Sequence, residues 1–219
     1  MKAGRKSLES IYRRLFDHYG PQHWWPAETP FEVMVGAVLT QNTAWTNVER
    51  AIENLRRADL LEAEAIAVLS LDRLALHLRP SGYFNVKARR LQALCRWVLA
   101  QDEAKDLTTE PLQKRLLSIH GIGPETADDI LLYAYQRPVF VIDAYTRRLF
   151  SRLGLLDGDL PYETLRATFE RALPPEVAIY NEYHALIVHH AKQVCRPKPQ
   201  CERCFLKTKC HWGRSSGSG

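Results

Sequence analysis

Hydrophobic residues recur at helical spacing along almost the whole chain. In the first segment Leu8, Ile11, Leu15 and Tyr19 lie three or four positions apart, which places their side chains on one face of an α-helix. Only the short run 139–142 has the continuous apolar character of an extended segment. The pattern predicts an all-α fold of about ten short helices joined by brief loops. Further helices are expected near 30–40, 45–55, 62–69, 71–78, 85–98, 112–121, 124–134, 161–173 and 176–193, with one more directly after residue 143.

Two helix starts are marked by polar residues. Thr29 and Glu32 flank Pro30 in the pattern of a capping box, which predicts a helix from Pro30 to about Thr40. Asn85 is a residue type that caps helices, and it precedes an apolar repeat over 91–98. We therefore expect Asn85 to cap that helix.

A glycine-rich turn separates two of the predicted helices. Gly121 and Gly123 flank Ile122, so the turn is tight and its backbone amides are unobstructed at the start of the next helix. Such amides suit a phosphate oxygen. A plain helical hairpin with a glycine cap is the alternative, but Pro124 and Thr126 after the turn favour DNA binding.

Four of the five cysteines fall within the last 25 residues. Their spacing is Cys195-x5-Cys201-x2-Cys204-x5-Cys210, whereas Cys95 sits in an apolar helical pattern and is expected in the core. In a chain without a signal peptide this clustering indicates a metal site rather than disulfides. Four thiolates suit either zinc or an iron–sulfur cluster, and the spacing alone does not choose.

Composition restricts the possible classes of protein but identifies no reaction. The 219 residues suffice for one domain or two small lobes, and the net charge of +5 fits a polyanionic partner without requiring one. No apolar run approaches the length of a membrane span, so we expect a cytoplasmic protein. Residues 215–219 have the composition of an artificial tail.

Four motifs together resemble the endonuclease III superfamily of helix-hairpin-helix DNA glycosylases, and most closely its 3-methyladenine glycosylases. They occur in the family's order and extend over nearly the whole chain. The matching segments are LTQNT at 39–43, GYFN at 82–85, IHGIGPETA at 119–127 and VFVIDAYTRR at 139–148, followed by the four cysteines.

The resemblance implies that Asp143 is the catalytic carboxylate. As a residue at a helix start it also fits an N-cap that accepts a hydrogen bond from the amide near Thr146. Both roles are compatible, because a carboxylate held at a helix N-terminus stays ionised and oriented. A carboxylate stabilises the positive charge that develops on the sugar when a glycosidic bond breaks.

Glu125 departs from the family's bifunctional members, in which this position holds a lysine that attacks the sugar. Glutamate does not form a Schiff base, so we expect base excision without β-elimination. As an acid near a helix N-terminus, Glu125 is interpreted mainly as a residue that stabilises its own helix.

The resemblance also implies a base pocket lined by Trp24, Trp25, Pro26 and Trp45. Aromatic faces attract the positive charge of an alkylated purine. Ordinary core packing is the alternative for Trp45, because Val48 and Ile52 follow it at helical spacing.

Further DNA contacts are assigned to two loops and one helix. Gln41 and Tyr83 resemble the residues that fill the gap left by a flipped nucleotide, and a surface turn residue is the alternative for Tyr83. Lys87, Arg89 and Arg90 open a basic helix, which fits either phosphate contacts or a solvated face.

The resemblance implies a [4Fe–4S] cluster on the four cysteines, although the first gap has five residues instead of the family's six. It implies two lobes, one of residues 1–28 and 136–214 with the catalytic helix and the cluster loop, and one of 29–135 with the hairpin. A monomer bound to double-stranded DNA that contains a damaged base is expected.

Two other functions stay open. One is a glycosylase for thymine or uracil opposite guanine, and the other is a helix-hairpin-helix protein that binds DNA without catalysis. An adenine-mismatch glycosylase is less favoured, because its additional catalytic glutamate would fall at Ala37.

Overall fold

The computed structural model describes residues 5–24, 27–100 and 106–215, and within these ranges every regular element is helical. The all-α prediction is therefore confirmed. The described chain divides into two units. The first unit contains residues 5–24 and 138–215, and the second contains 27–100 and 106–137. None of the helices in these ranges is long and apolar enough to cross a lipid bilayer.

The first unit is built around aromatic side chains. Phe140 stacks on Phe169 with ring centroids 4.3 Å apart, and Phe150 and Tyr183 meet Phe169 edge-on. The Tyr183 hydroxyl donates a hydrogen bond to the Leu8 carbonyl at 2.8 Å, which joins the last long helix to the first. The helices of this unit are α1 (Arg5–Tyr19), α9 (Ala144–Leu153), α10 (Tyr162–Ala172), α11 (Val177–Gln193) and α12 (His211–Ser215).

The second unit surrounds helix α2 (Pro30–Leu39), whose residues 32–39 are all buried. A mostly apolar helix is stable when other elements pack around it. Here α3 (Trp45–Arg57), α6 (Phe84–Leu99), α8 (Pro124–Asp129) and the turn over Ile130–Ala134 pack against α2. The helices of this unit are α2 (Pro30–Leu39), α3 (Trp45–Arg57), α4 (Ala63–Val68), α5 (Leu71–Leu78), α6 (Phe84–Leu99), α7 (Thr109–Leu117) and α8 (Pro124–Asp129), and α8 continues into a π-turn over Ile130–Ala134.

Local capping differs from the sequence prediction at two helices. The Thr29 hydroxyl accepts from the Glu32 amide at 3.1 Å as expected. The Glu32 carboxylate does not complete a capping box with Thr29, because it accepts instead from the Glu28 amide and from Arg56. The prediction that Asn85 caps its helix is wrong, since α6 already begins at Phe84.

Candidate active site and DNA-contact residues

Asp143 lies at the point where the buried run 139–142 meets helix α9. The apolar residues of that run fix the chain in the core, and Asp143 is the N-cap residue of α9. Its Oδ1 accepts a hydrogen bond from the Thr146 amide at 2.7 Å. The predicted capping contact is therefore confirmed, and it holds one oxygen of the carboxylate in place.

The second oxygen of Asp143 faces a histidine that the sequence analysis did not identify. His184 Nε2 lies 3.4 Å from Asp143 Oδ2, and the side chain of His184 is buried. Burial on its own raises the pKa of Asp143, but the contact with His184 and the Thr146 amide together hold that pKa below its usual value. The carboxylate is consequently ionised at neutral pH.

Trp24 belongs to the same cluster. Its indole stacks on the His184 imidazole, with ring centroids 5.6 Å apart and planes only 8° from parallel. The structure thus brings one predicted pocket residue next to the predicted catalytic residue, with His184 between them. Trp25 and Pro26, the other two residues of that motif, lie outside the described residues.

Trp45 is the first residue of α3 in the second unit. The apolar stripe that follows it is buried at Val48 and Ile52, whereas Trp45 itself is only half-buried. Its Nε1 donates to Glu49 Oε1 at 2.9 Å on the exposed side of the helix. Trp45 therefore keeps part of its aromatic surface accessible, unlike the core residues of the same stripe.

The glycine-rich turn connects α7 to α8, as the sequence predicts. Gly121 has φ of +86°, and a Cβ at this position would collide with the Arg90 side chain. The positive φ favours glycine here, and the space taken by Arg90 adds to that preference. Ile122 is buried between the two helices, and Gly123 is the N-cap residue of α8.

Gln41 is bound to this turn. Its Nε2 donates to the Gly121 carbonyl at 3.2 Å and to Thr126 Oγ1 at 2.9 Å, and its Oε1 accepts from Arg90. The sequence predicts DNA contacts for Gln41 and, independently, for the turn. In the structure these two regions contact each other. Thr126 is buried, and its hydroxyl oxygen accepts this hydrogen bond from Gln41.

Tyr83 is the most clearly exposed of the predicted DNA-contact residues. Its side chain is 70% exposed, and its backbone has φ of +45°, a conformation that is uncommon for residues other than glycine. It directly precedes α6. The ring therefore projects from a sharp turn.

The assignment of Lys87 to DNA contacts is wrong. Its side chain is only 1% exposed, and its Nζ donates to the Leu39 carbonyl at 2.8 Å and to the Ser81 carbonyl at 2.6 Å. Burial, with a smaller contribution from the charge of Arg90, lowers the pKa of Lys87 to about 8. Lys87 satisfies carbonyl groups at two helix ends, a role that the charge pattern of the sequence does not reveal.

The four clustered cysteines surround one small cavity in the first unit, together with apolar residues that include Leu149, Val194 and Leu206. All four thiols are free. Burial raises the pKa of Cys204 and Cys210, and their neighbouring thiols act in the same direction. Within the described ranges no three His, Cys, Asp or Glu side chains converge closely enough to hold a single metal ion.

Two arginines fasten the cysteine loop to α9. Arg148 Nε donates to the Cys195 carbonyl at 2.9 Å, and Arg152 donates to the Arg196 carbonyl at 2.6 Å and approaches Cys195 Sγ at 3.5 Å. Helix α9 therefore has Asp143 at its N-terminus, and the two arginines that bind the cysteine loop lie farther along the same helix.

Comparison with known proteins gives a consistent picture. The model of the HhH-GPD superfamily of base excision DNA repair proteins matches residues 35–175. A protein of Methanocaldococcus jannaschii assigned to the DNA repair glycosylases is 50% identical and aligns over 93% of this chain and 95% of its own length.

Two solved structures are similar over most of their length. A Helicobacter pylori 3-methyladenine DNA glycosylase, bound to 1,N6-ethenoadenine, is 32% identical with a TM-score of 0.72 and covers 86% of this chain and 95% of its own. An endonuclease III–DNA complex has a TM-score of 0.86 at 20% identity and covers 99% of both chains, which shows a common fold.

Proposed function

Because the chain belongs to the HhH-GPD superfamily of base excision DNA repair proteins and is a DNA glycosylase of that family, we propose that it removes alkylated purines, such as 3-methyladenine, from double-stranded DNA. We propose further that it does so without cleaving the strand. The observation that carries this proposal is the carboxylate of Asp143, held by the Thr146 amide beside the stacked pair His184 and Trp24.

Asp143 supplies the chemistry that N-glycosidic cleavage requires. As the bond from base to sugar breaks, positive charge develops on the sugar, and a nearby carboxylate stabilises that charge. Its low pKa keeps Asp143 negative across the neutral range. No general acid is required for a base that already carries a positive charge, because such a base departs readily.

The aromatic residues support an alkylated purine as the base. An electron-rich ring face attracts a cation, and this attraction is worth ~0.5–2 kcal/mol, the larger value applying where water is excluded. Trp24 is held near Asp143 by its stack on His184, and Trp45 keeps aromatic surface accessible in the second unit. The 32% identity to a 3-methyladenine DNA glycosylase supports the same substrate class.

The absence of strand cleavage is argued from Glu125. It is exposed in the first turn of α8, where the bifunctional members of the family carry the lysine that attacks the sugar. A carboxylate does not form the Schiff base through which β-elimination proceeds. The product is accordingly an abasic site in an intact strand.

Binding of duplex DNA is assigned to the turn between α7 and α8 and to Tyr83. The Ile122 amide already donates to the Ile119 carbonyl at 3.1 Å, so the Gly121 and Gly123 amides on either side of it are assigned to a phosphate oxygen. Tyr83 has the exposure and the size needed to occupy the space left by a flipped nucleotide. Gln41 joins these contacts through its hydrogen bonds to the turn.

The donor set of the cysteine loop fits a [4Fe–4S] cluster. Half-buried thiols whose pKa values are raised need a cation to stabilise their thiolate forms together. A single zinc ion binds thiolates at ~2.3 Å and draws four sulfurs close to one point, whereas these four surround a cavity. The cluster would be held by Cys195, Cys201, Cys204 and Cys210, and it would order the loop against α9.

Base release from two duplexes tests the proposal. One duplex contains 3-methyladenine and the other a G·T or G·U mismatch, and free base and strand breakage are scored separately, the latter with and without alkali. We expect release of the alkylated purine with breakage only after alkali. Release of pyrimidine alone would identify a mismatch glycosylase, breakage without alkali would contradict the role of Glu125, and no release from either duplex would leave a DNA-binding protein without catalysis.

A further inference from the structure

We propose that His184 is a positioning residue for catalysis, which fixes the carboxylate of Asp143 and aligns Trp24 with it. This inference rests on the proposed function, because it assigns a role in relation to Asp143 as the catalytic group. His184 lies in the interior of α11, in a sequence context that gives no sign of chemistry, and only the structure places it at the carboxylate.

The carboxylate of Asp143 has a neighbour at each of its two oxygens. Asp143 Oδ1 accepts from the Thr146 amide at 2.7 Å, and Oδ2 lies 3.4 Å from His184 Nε2. Rotation of an aspartate carboxyl group about its last torsion meets only a shallow barrier. One contact leaves that rotation open, whereas contacts on both oxygens define the plane that the carboxylate presents to the sugar.

His184 is itself held in a fixed position by its surroundings. Its side chain is about 5% exposed, and its neighbours Tyr183 and Ala185 are buried in the core of the first unit. The parallel stack with Trp24 ties the plane of the imidazole to the plane of the indole. One side chain thus sets the position of a carboxylate and of an aromatic surface for the base.

The contact also keeps the carboxylate charged. Burial alone raises the pKa of Asp143, and His184 from α11 together with Thr146 from α9 holds that pKa below its usual value. Tyr162 from α10 accepts a hydrogen bond from the adjacent Ile142 amide at 3.3 Å. Asp143 therefore meets the positive charge that develops on the sugar as an anion.

The test compares His184→Gln, which keeps a side-chain N–H donor, with His184→Leu, which removes it. The single-turnover rate of 3-methyladenine release is measured from pH 4.5 to 8.5, together with the Kd for the duplex and the melting temperature. In parallel, NMR of carboxyl-labelled protein follows the titration of Asp143 in each variant without any substrate.

We expect His184→Leu to lower the rate by about 10- to 100-fold, the range typical of a misplaced catalytic group. The Asp143 titration should move to higher pH, because the contact that lowers this pKa is lost. The wild-type rate should show no acidic limb between pH 4.5 and 8.5, because the pKa of Asp143 lies below that range, whereas the acidic limb of His184→Leu should move toward it. The Kd should stay within about twofold, since binding of the duplex does not depend on this contact. His184→Gln should restore most of the rate and the position of the limb.

Unchanged titration of Asp143 in both variants would overturn the proposal, as would equal losses of rate in the two variants with no shift of the acidic limb. The latter result would mean that His184 only supports the core. If the wild-type protein releases no alkylated purine, the proposed function fails, whereas the titration of Asp143 still tests His184 independently.

Discussion

At the scale of single residues, burial separates side chains that the sequence makes look alike. Lys87 and Arg89 stand two positions apart in a basic helix start, yet Lys87 is buried against two carbonyl groups and Arg89 is exposed. Charge patterning alone assigns both to a solvated or DNA-facing surface. The difference depends on where the ends of neighbouring helices lie, and no local sequence signal records that.

Replacement of Lys87 by Met should destabilise the protein by about 2–4 kcal/mol, because the carbonyls of Leu39 and Ser81 lose their donor inside the protein. Urea denaturation measures this loss. Arg89→Met is the matched control and should change the free energy of unfolding by less than about 0.5 kcal/mol. Equal stability of the two variants would contradict the buried role of Lys87.

Trp45 offers a second test at this scale. Trp45→Ala removes an accessible aromatic face and should lower the excision rate of alkylated purines by about 2- to 30-fold, since cation–π attraction is worth ~0.5–2 kcal/mol. Trp45→Phe should retain most of the rate. Duplex affinity, measured by fluorescence anisotropy, should change little in either variant. A parallel loss of excision and of binding in Trp45→Ala would remove this residue from the base pocket.

At the scale of elements, the sequence predicts the helices well and their mutual contacts poorly. Periodicity and capping residues located α2, α8 and α11 to within a few residues. The hydrogen bonds of Gln41 to the turn between α7 and α8, and the contact of His184 with Asp143, join residues far apart in the chain. Such pairs follow from packing, which a single sequence does not specify.

The cysteine loop gives the prediction that belongs to this scale. Cys204→Ser removes one thiolate, so the purified protein should contain much less iron and lose its visible absorption. The melting temperature should fall, because the loop anchors α9 through Arg148 and Arg152. Cys95→Ser is a cysteine control outside the loop and should retain the iron. Stoichiometric zinc without iron in the wild-type protein would contradict the cluster assignment.

At the scale of the whole molecule, the family and the general fold were accessible from the sequence, because four motifs occur together in one order. The family model matches 35–175, and the helical fold agrees with that of endonuclease III. Two local details bear most on the proposed chemistry of this chain. Glu125 replaces the lysine of bifunctional enzymes, and His184 joins Trp24 to Asp143.

The most direct test of the account is the single-turnover release of 3-methyladenine by Asp143→Asn, with Asp159→Asn as the control. Asn keeps the size of the side chain and its ability to cap α9, but it removes the negative charge. We predict that Asp143→Asn loses at least about 100-fold in rate while it still binds the duplex, and that Asp159→Asn, an exposed loop variant, behaves as wild type. Excision by Asp143→Asn at the wild-type rate would contradict the account.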